Sequence, residues 1–190
     1  MVKKIVLIGP ESTGKSSLCE QLAAHYGTIW CKEYAREYLL GHGTHYNFED
    51  LATIAKGQLR LEDEATGLKL QTSTGNLQSS NLLFLDTDMY VMKVWCEFVF
   101  GTCHPFILEE IESRKYDLYL LCNTDLPWVK DELREYPDLE TREKLFEIYK
   151  NLLIHQSTPW VEIKGNDSSR LAMAIEAIER VSVGNQDVIL

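Results

Sequence analysis

Positive charge is in short supply in this 190-residue chain: 19 Lys and Arg stand against 29 Asp and Glu, a formal net charge of −10. An acidic chain repels phosphate backbones, so nucleic acid is not expected as a partner. No apolar run approaches the length of a membrane span, so no membrane partner is expected either. Lys3 and Lys4 before an apolar run imitate a secretion signal, but the run breaks at Gly9-Pro10, too early for a signal's hydrophobic core. The cysteines are Cys19, Cys31, Cys96, Cys103 and Cys122, an odd number with no C-x-x-C spacing. They are expected to be reduced thiols acting as small hydrophobes in a cytoplasmic protein, not disulfides or zinc ligands. His25, His42, His45, His104 and His155 show no zinc spacing with cysteine and no nucleophile partner. There is no internal repeat, and the length suits one α/β domain but not two.

What is present is Gly9-Pro10-Glu11-Ser12-Thr13-Gly14-Lys15-Ser16, a complete G-x-x-x-x-G-K-[ST] P-loop, followed by Ser17. The pattern needs a strand before it and a helix after it. Lys3–Ile8 is a β-branched apolar run, and Leu18 and Leu22 stand at i, i+4 in the segment that follows. Main-chain N–H groups of such a turn converge on an anion, and the helix N-terminus adds partial positive charge. Residues 9–17 are therefore expected to bind the phosphates of a nucleoside triphosphate. Lys15 would reach the β- and γ-phosphates, and Ser16 would ligate Mg²⁺.

Strand-like and helix-like segments alternate. Strands are predicted over 3–8, 28–31, 82–86, 116–122 and 160–164, and helices over 15–26, 33–40, 48–69, 88–100, 105–114, 139–154 and 168–181. This order predicts an α/β P-loop NTPase, a five-stranded parallel sheet with helices on both faces, in one domain over 1–181. The polar stretch 72–81 reads as a mobile surface loop, and the tail 182–190 as flexible.

Further candidates follow from where strands end. The strand Leu82–Leu85 ends in Asp86-Thr87-Asp88, and Asp86 is the candidate for the Mg²⁺ shell. Asp88 either acts on a substrate hydroxyl or caps the next helix. Glu33, Arg36 and Glu37 follow the second strand, where an open α/β sheet opens its ligand crevice; the other reading is a surface ion pair at a helix start. The charged segment 128–142 occupies the place of a lid in small-molecule kinases. Arg134 and Arg142 are its candidates to close on phosphate, against the alternative of a solvated face. No D-x-x-G follows Asp86 and no N-K-x-D occurs near Asn123, which disfavours a regulatory GTPase.

The set Gly9–Ser16, Glu33-Tyr34-Ala35-Arg36-Glu37-Tyr38, Gln58, Asp86-Thr87-Asp88, Phe100-Gly101, Tyr116–Leu121, Pro127-Trp128-Val129 and Leu133-Arg134 resembles the ribosylnicotinamide kinase family. That is the family of the kinase domain of NadR proteins and of free-standing AAA-like ATPases named after it. The resemblance implies Mg²⁺·ATP-dependent phosphorylation of the 5′-hydroxyl of nicotinamide riboside. The riboside would lie between helices 33–40 and 88–100, with Tyr34, Tyr38, Trp95 and Trp30 as candidate rings for the pyridinium. Glu33 and Asp88 would bind ribose or accept the hydroxyl proton, and the loop 165–168 would lie near adenine. Plain core packing is the competing reading of each ring. Another small-metabolite kinase, or a non-catalytic ATP-binding switch, is the alternative. The chain departs from the family at Val91 and Met92, where a hydroxyl residue is usual, and at Lys32, where an aromatic is expected. The sequence starts at the P-loop strand, so NadR's other domains are not expected.

Overall fold

Parallel strands bury both faces, so their side chains must be apolar on both sides. The computed structural model describes residues 2–72 and 81–182. Among them, β1 (Lys3–Ile8), β2 (Trp30–Cys31), β3 (Leu82–Asp86), β4 (Leu118–Cys122) and β5 (Trp160–Ile163) form one sheet in the order β2-β3-β1-β4-β5. All four neighbouring pairs are parallel. The helices are α1 (Lys15–Tyr26), α2 (Tyr34–His42), α3 (Phe48–Thr72), α4 (Met89–Phe100), α5 (Pro105–Ser113), α6 (Leu139–Ile154) and α7 (Asp167–Ser182).

Alternation along the strands sorts the core. Ile5, Leu7, Phe84, Leu118 and Leu120 pack with Leu18 and Leu22 of α1 and Ala174 and Ile178 of α7. Their neighbours Val6, Ile8, Leu83, Leu85 and Leu121 pack on the other face with Val91 and Val94 of α4 and Leu145, Phe146 and Leu153 of α6. A third cluster, Ala35, Leu51, Ile54, Met89, Met92 and Ile107, joins α2, α3, α4 and α5 beside the sheet. Cys19, Cys31, Cys96 and Cys122 are buried and Cys103 is half-buried, all as free thiols.

The fold is the five-stranded parallel α/β sheet with helices on both faces that the element order predicts. Differences lie at the ends. β4 begins at Leu118 rather than at 116, because the Asp117 carboxylate accepts the Lys4 N–H at 2.8 Å in place of a ladder bond. β2 is only two residues long, and α3 runs on to Thr72. The expectations of a mobile loop at 72–81 and a flexible tail fall mainly on 73–80 and 183–190, outside the described residues. Among the described residues, no helix is long and apolar enough to cross a membrane.

Register positions the site. Leu7 of β1 pairs with Asp86 of β3, so the β3 carboxylate ends beside the turn that begins at Gly9. β4 flanks the other side, with Ile8 opposite Leu121.

Candidate active site

The P-loop is built on backbone few residues can adopt. Gly9 has φ 139°, and a Cβ there would meet the Cys122 carbonyl oxygen at 2.6 Å. Gly14, at φ 75°, is the N-cap of α1. Ser12 is a left-handed non-glycine at φ 57°. Such conformations turn successive N–H groups inward, and their strain is tolerated where an anion is to be held. Thr13 donates its hydroxyl to the Pro10 carbonyl at 2.7 Å, and Lys15 Nζ lies against the Gly9 and Pro10 carbonyls at 3.0 and 2.8 Å.

Ser16 donates to Asp86 Oδ2 at 2.5 Å. Asp86 Oδ1 is buried and has no hydrogen-bond partner among the described residues. Burial raises the Asp86 pKa, with Lys15 and Ser16 pulling it back. A hydroxyl and an unpartnered carboxylate oxygen are hard oxygen donors, which fit Mg²⁺.

Glu33 is the N-cap of α2, but its side chain makes no cap bond. Gln58 of α3, fully buried, holds the junction instead: its Oε1 accepts the Tyr34 N–H at 2.7 Å and its Nε2 donates to the Lys32 carbonyl at 3.3 Å. The Glu33 carboxylate is thereby left facing the site. Burial and the Asp86 charge push its pKa up to about 7.

One cavity of about 270 Å³ joins these parts. Gly9 to Ser17 form one wall, Glu33 and Arg36 another, Val91, Trp95 and Phe98 of α4 a third, and Arg134 with Tyr136 the rim. Of the residues expected from sequence, the structure brings together Gly9, Pro10, Glu11, Ser12, Thr13, Gly14, Lys15, Ser16, Ser17, Glu33, Arg36, Trp95 and Arg134, with Asp86 behind Ser16.

Five residues expected at the site lie outside this cavity. Asp88 lies outside this cavity: Oδ1 caps α4 by accepting the Tyr90 and Val91 N–H groups, and Oδ2 accepts the Tyr119 hydroxyl at 2.8 Å. Burial raises it to about 7, and both oxygens are engaged, so the helix-cap reading describes its place. Tyr34 turns its ring onto Gly57 of α3, where an added Cβ would lie 2.0 Å from the ring. Tyr38 donates to Asp50 at 2.7 Å and stacks on His42. Neither tyrosine lines the cavity. Arg142 is fully buried; its Nη2 donates to the Ser12 carbonyl at 3.2 Å and the Leu126 carbonyl at 3.5 Å, so it braces the P-loop from behind. Trp30 packs against the α1–α7 side of the core.

Sequence reading missed the acidic rim and one brace. Asp131 and Glu135 line the cavity within a charge run from which only arginines stood out. Arg170 of α7, buried, donates to the Thr13, Asn123 and Gly165 carbonyls at 2.8–2.9 Å, tying the P-loop to the loops after β4 and β5. Its partner on the P-loop lies 157 residues away, so no local signal pointed to it.

Residues 4–170 match the AAA_28 family, described as an AAA domain. The chain belongs to that family. It is 27% identical over 190 residues to the trifunctional NAD biosynthesis/regulator protein NadR of Escherichia coli (strain K12), covering 97% of this chain and 44% of NadR. The NadR of Salmonella typhimurium is 26% identical over 185 residues, covering 95% of this chain and 43% of that protein. The chain thus spans less than half the length of these curated relatives. Among solved structures, a NadR protein in complex with NR superposes with a TM-score of 0.74 at 21% identity, over 96% of this chain and 50% of that one. Thymidylate kinase from Ehrlichia chaffeensis superposes with a TM-score of 0.62 at 11% identity, over 97% and 99% of the two chains. The relationship to NadR read from the motifs is therefore shown, and so is the P-loop kinase-like fold. Such a fold is a nucleotide-binding one, and a NadR structure was solved with NAD and AMP-PNP.

Proposed function

We propose that this family member is a small-molecule kinase that transfers the γ-phosphoryl of ATP to the 5′-hydroxyl of nicotinamide riboside, giving nicotinamide mononucleotide. The observation that carries the reading is the continuous cavity of about 270 Å³ that runs from the P-loop to Glu33, Arg36 and Trp95. The relationship to NadR supports the riboside as acceptor. The acidic and aromatic lining suits a cationic base.

The P-loop N–H groups and Lys15 would hold the β- and γ-phosphates, and Ser16 with Asp86 would hold Mg²⁺, which supplies charge neutralisation on those phosphates. Glu33 would accept the hydroxyl proton as the new P–O bond forms and the β–γ bridge bond breaks, releasing ADP. Arg134, at the rim, would face the phosphoryl from the opposite side. The charged segment containing it is proposed to act as the lid, excluding water from the transfer. Most of the catalysis in such a transfer is positioning and charge stabilisation, which this wall-and-rim arrangement can provide.

Val91 at the wall favours keeping a second reading, another nucleoside or small-metabolite kinase, since a hydroxyl residue usual in the family is absent from the acceptor side. A panel of ribosides assayed for ADP release decides between them. Nicotinamide riboside is expected to give the highest kcat/KM. Faster use of another riboside would keep the reaction and replace the acceptor; ATP binding with no acceptor used would leave a nucleotide-binding switch.

A further inference from the structure

Glu11 is an awkward residue for a phosphate loop. A carboxylate set among N–H groups and Lys15 opposes the charge of the ligand they gather. Its carboxylate is engaged by the segment that precedes α6. Oε2 accepts the Glu135 N–H at 3.0 Å and Oε1 accepts the Tyr136 N–H at 2.6 Å. Ser12, the next residue, accepts the Val129 N–H at 2.9 Å and Arg134 Nη1 at 3.3 Å on its hydroxyl. Two adjacent variable positions of the P-loop thus fasten three main-chain amides and the arginine of segment 129–136.

The other edge of that segment is fastened to the acceptor side. Asp131 pairs with Arg36 of α2 at 3.1 Å. The Glu135 carboxylate accepts the Tyr46 hydroxyl at 3.0 Å, and Tyr46 accepts Trp95 Nε1 at 2.8 Å. The Arg36–Asp131 pair is partly exposed and contributes little by itself. The two Glu11 bonds are charge-assisted, and both acceptor oxygens are used, so they are the stronger fastening.

We propose that Glu11 is a positioning residue: it latches segment 129–136 to the P-loop and couples the nucleotide loop to closure of the acceptor pocket. The kinetic part of its test rests on the kinase reading; the structural part does not. Through the latch, Arg134 stays over the P-loop and Glu135 and Tyr136 stay on the cavity rim. Without it, the nucleotide loop keeps its own backbone geometry, while the acceptor pocket loses its rim.

The experiment compares the unaltered chain with Glu11→Ala and Glu11→Gln by residue-resolved amide hydrogen exchange, by direct binding of AMP-PNP with Mg²⁺, and by steady-state kinetics. Glu11→Ala is expected to speed exchange at the Glu135 and Tyr136 amides by about ten- to hundredfold. Glu11→Gln keeps one acceptor oxygen and is expected to protect one amide of the two. Exchange in α1 and β1 should not change, and AMP-PNP affinity should stay within about threefold, since the P-loop N–H groups and Lys15 remain in place. The acceptor KM should rise by more than kcat falls, and ADP release without acceptor should rise relative to transfer as water gains entry. Unchanged exchange at both amides would overturn the proposal. So would faster exchange throughout α1 and β1, which would make Glu11 a stability residue, or AMP-PNP affinity lost with the two amides still protected, which would make it a nucleotide ligand. If the unaltered chain phosphorylates no riboside, the functional reading fails while the exchange result still decides the latch.

Discussion

Lys15 and Glu33 test the site one side chain at a time. Lys15 Nζ is close to the Gly9 and Pro10 carbonyls and packs into no core cluster, so its removal should leave the fold intact. Loss of one preorganised charge-stabilising group costs on the order of a hundred- to thousandfold in kcat. Lys15→Ala is therefore expected to be folded by circular dichroism and nearly inactive; near-normal kcat would remove the P-loop from the mechanism. Glu33→Gln keeps the shape of the α2 N-cap and removes the proposed proton acceptor. A general base contributes about a hundredfold or more, so kcat should fall by about that much with the ATP KM unchanged. A rise in the riboside KM with kcat retained would instead make Glu33 a ribose ligand. At this scale the sequence was most legible where chemistry is written locally, in residues 9–17 and at the strand ends Asp86 and Glu33. It was least legible for Asp88, Tyr34, Tyr38 and Arg142. Each has a residue type that suits a site, and each is claimed by a partner distant in sequence: Tyr119, Gly57, Asp50 and the Ser12 carbonyl.

Whole elements followed from periodicity, because the apolar alternation of a parallel strand and the stripe of a helix are set by nearest neighbours and by the solvent boundary. Ends did not, because a side chain can take over a backbone bond there, as Asp117 does before β4 and Gln58 does before α2. Asp138 is such a device at the end of the charged segment. It is the N-cap of α6 and accepts the Thr141 N–H at 2.7 Å, and hydrogen bonding from Thr141, by its side chain foremost and then by its N–H, holds the Asp138 pKa below the usual carboxylate range. A depressed folded-state pKa adds stability above the unfolded value, and that stability is lost as pH falls through the folded one. Asp138→Ala is accordingly expected to lower the melting temperature at neutral pH, and the difference should shrink below about pH 4. A difference that stays constant down to pH 3 would mean that Asp138 acts by something other than its charged cap. Because α6 also carries Arg142 against the Ser12 carbonyl, the same variant tests whether fraying at that end reaches the P-loop: AMP-PNP affinity would then fall along with stability.

At the scale of the molecule, a net charge of −10 creates a field that favours a cation, while inside the cavity Glu33, Asp131 and Glu135 are set against Lys15, Arg36 and Arg134. On the proposed reading, ATP would enter against that field and rely on the P-loop, and nicotinamide riboside, with its pyridinium, would enter along it. Two effects would then favour the cationic riboside, and salt separates them. Contact of a pyridinium with an aromatic face such as Trp95 is worth about 0.5–2 kcal/mol, roughly two- to thirtyfold in affinity, and is short-ranged. Attraction by the rim carboxylates is long-ranged and is screened as the Debye length shrinks from about 10 Å at 0.1 M salt to about 3 Å at 1 M. The ratio of kcat/KM for nicotinamide riboside to that for its uncharged reduced form should therefore exceed one at low salt, fall as sodium chloride is added, and level off above one. Asp131→Asn combined with Glu135→Gln should flatten the salt dependence and leave the plateau. A ratio indifferent to salt would remove the rim from recognition, and a ratio of one throughout would remove the cation altogether. Uridine used about tenfold better than nicotinamide riboside would overturn the acceptor, because a ring contact of at most roughly thirtyfold is then outweighed by hydrogen bonds made to a neutral base.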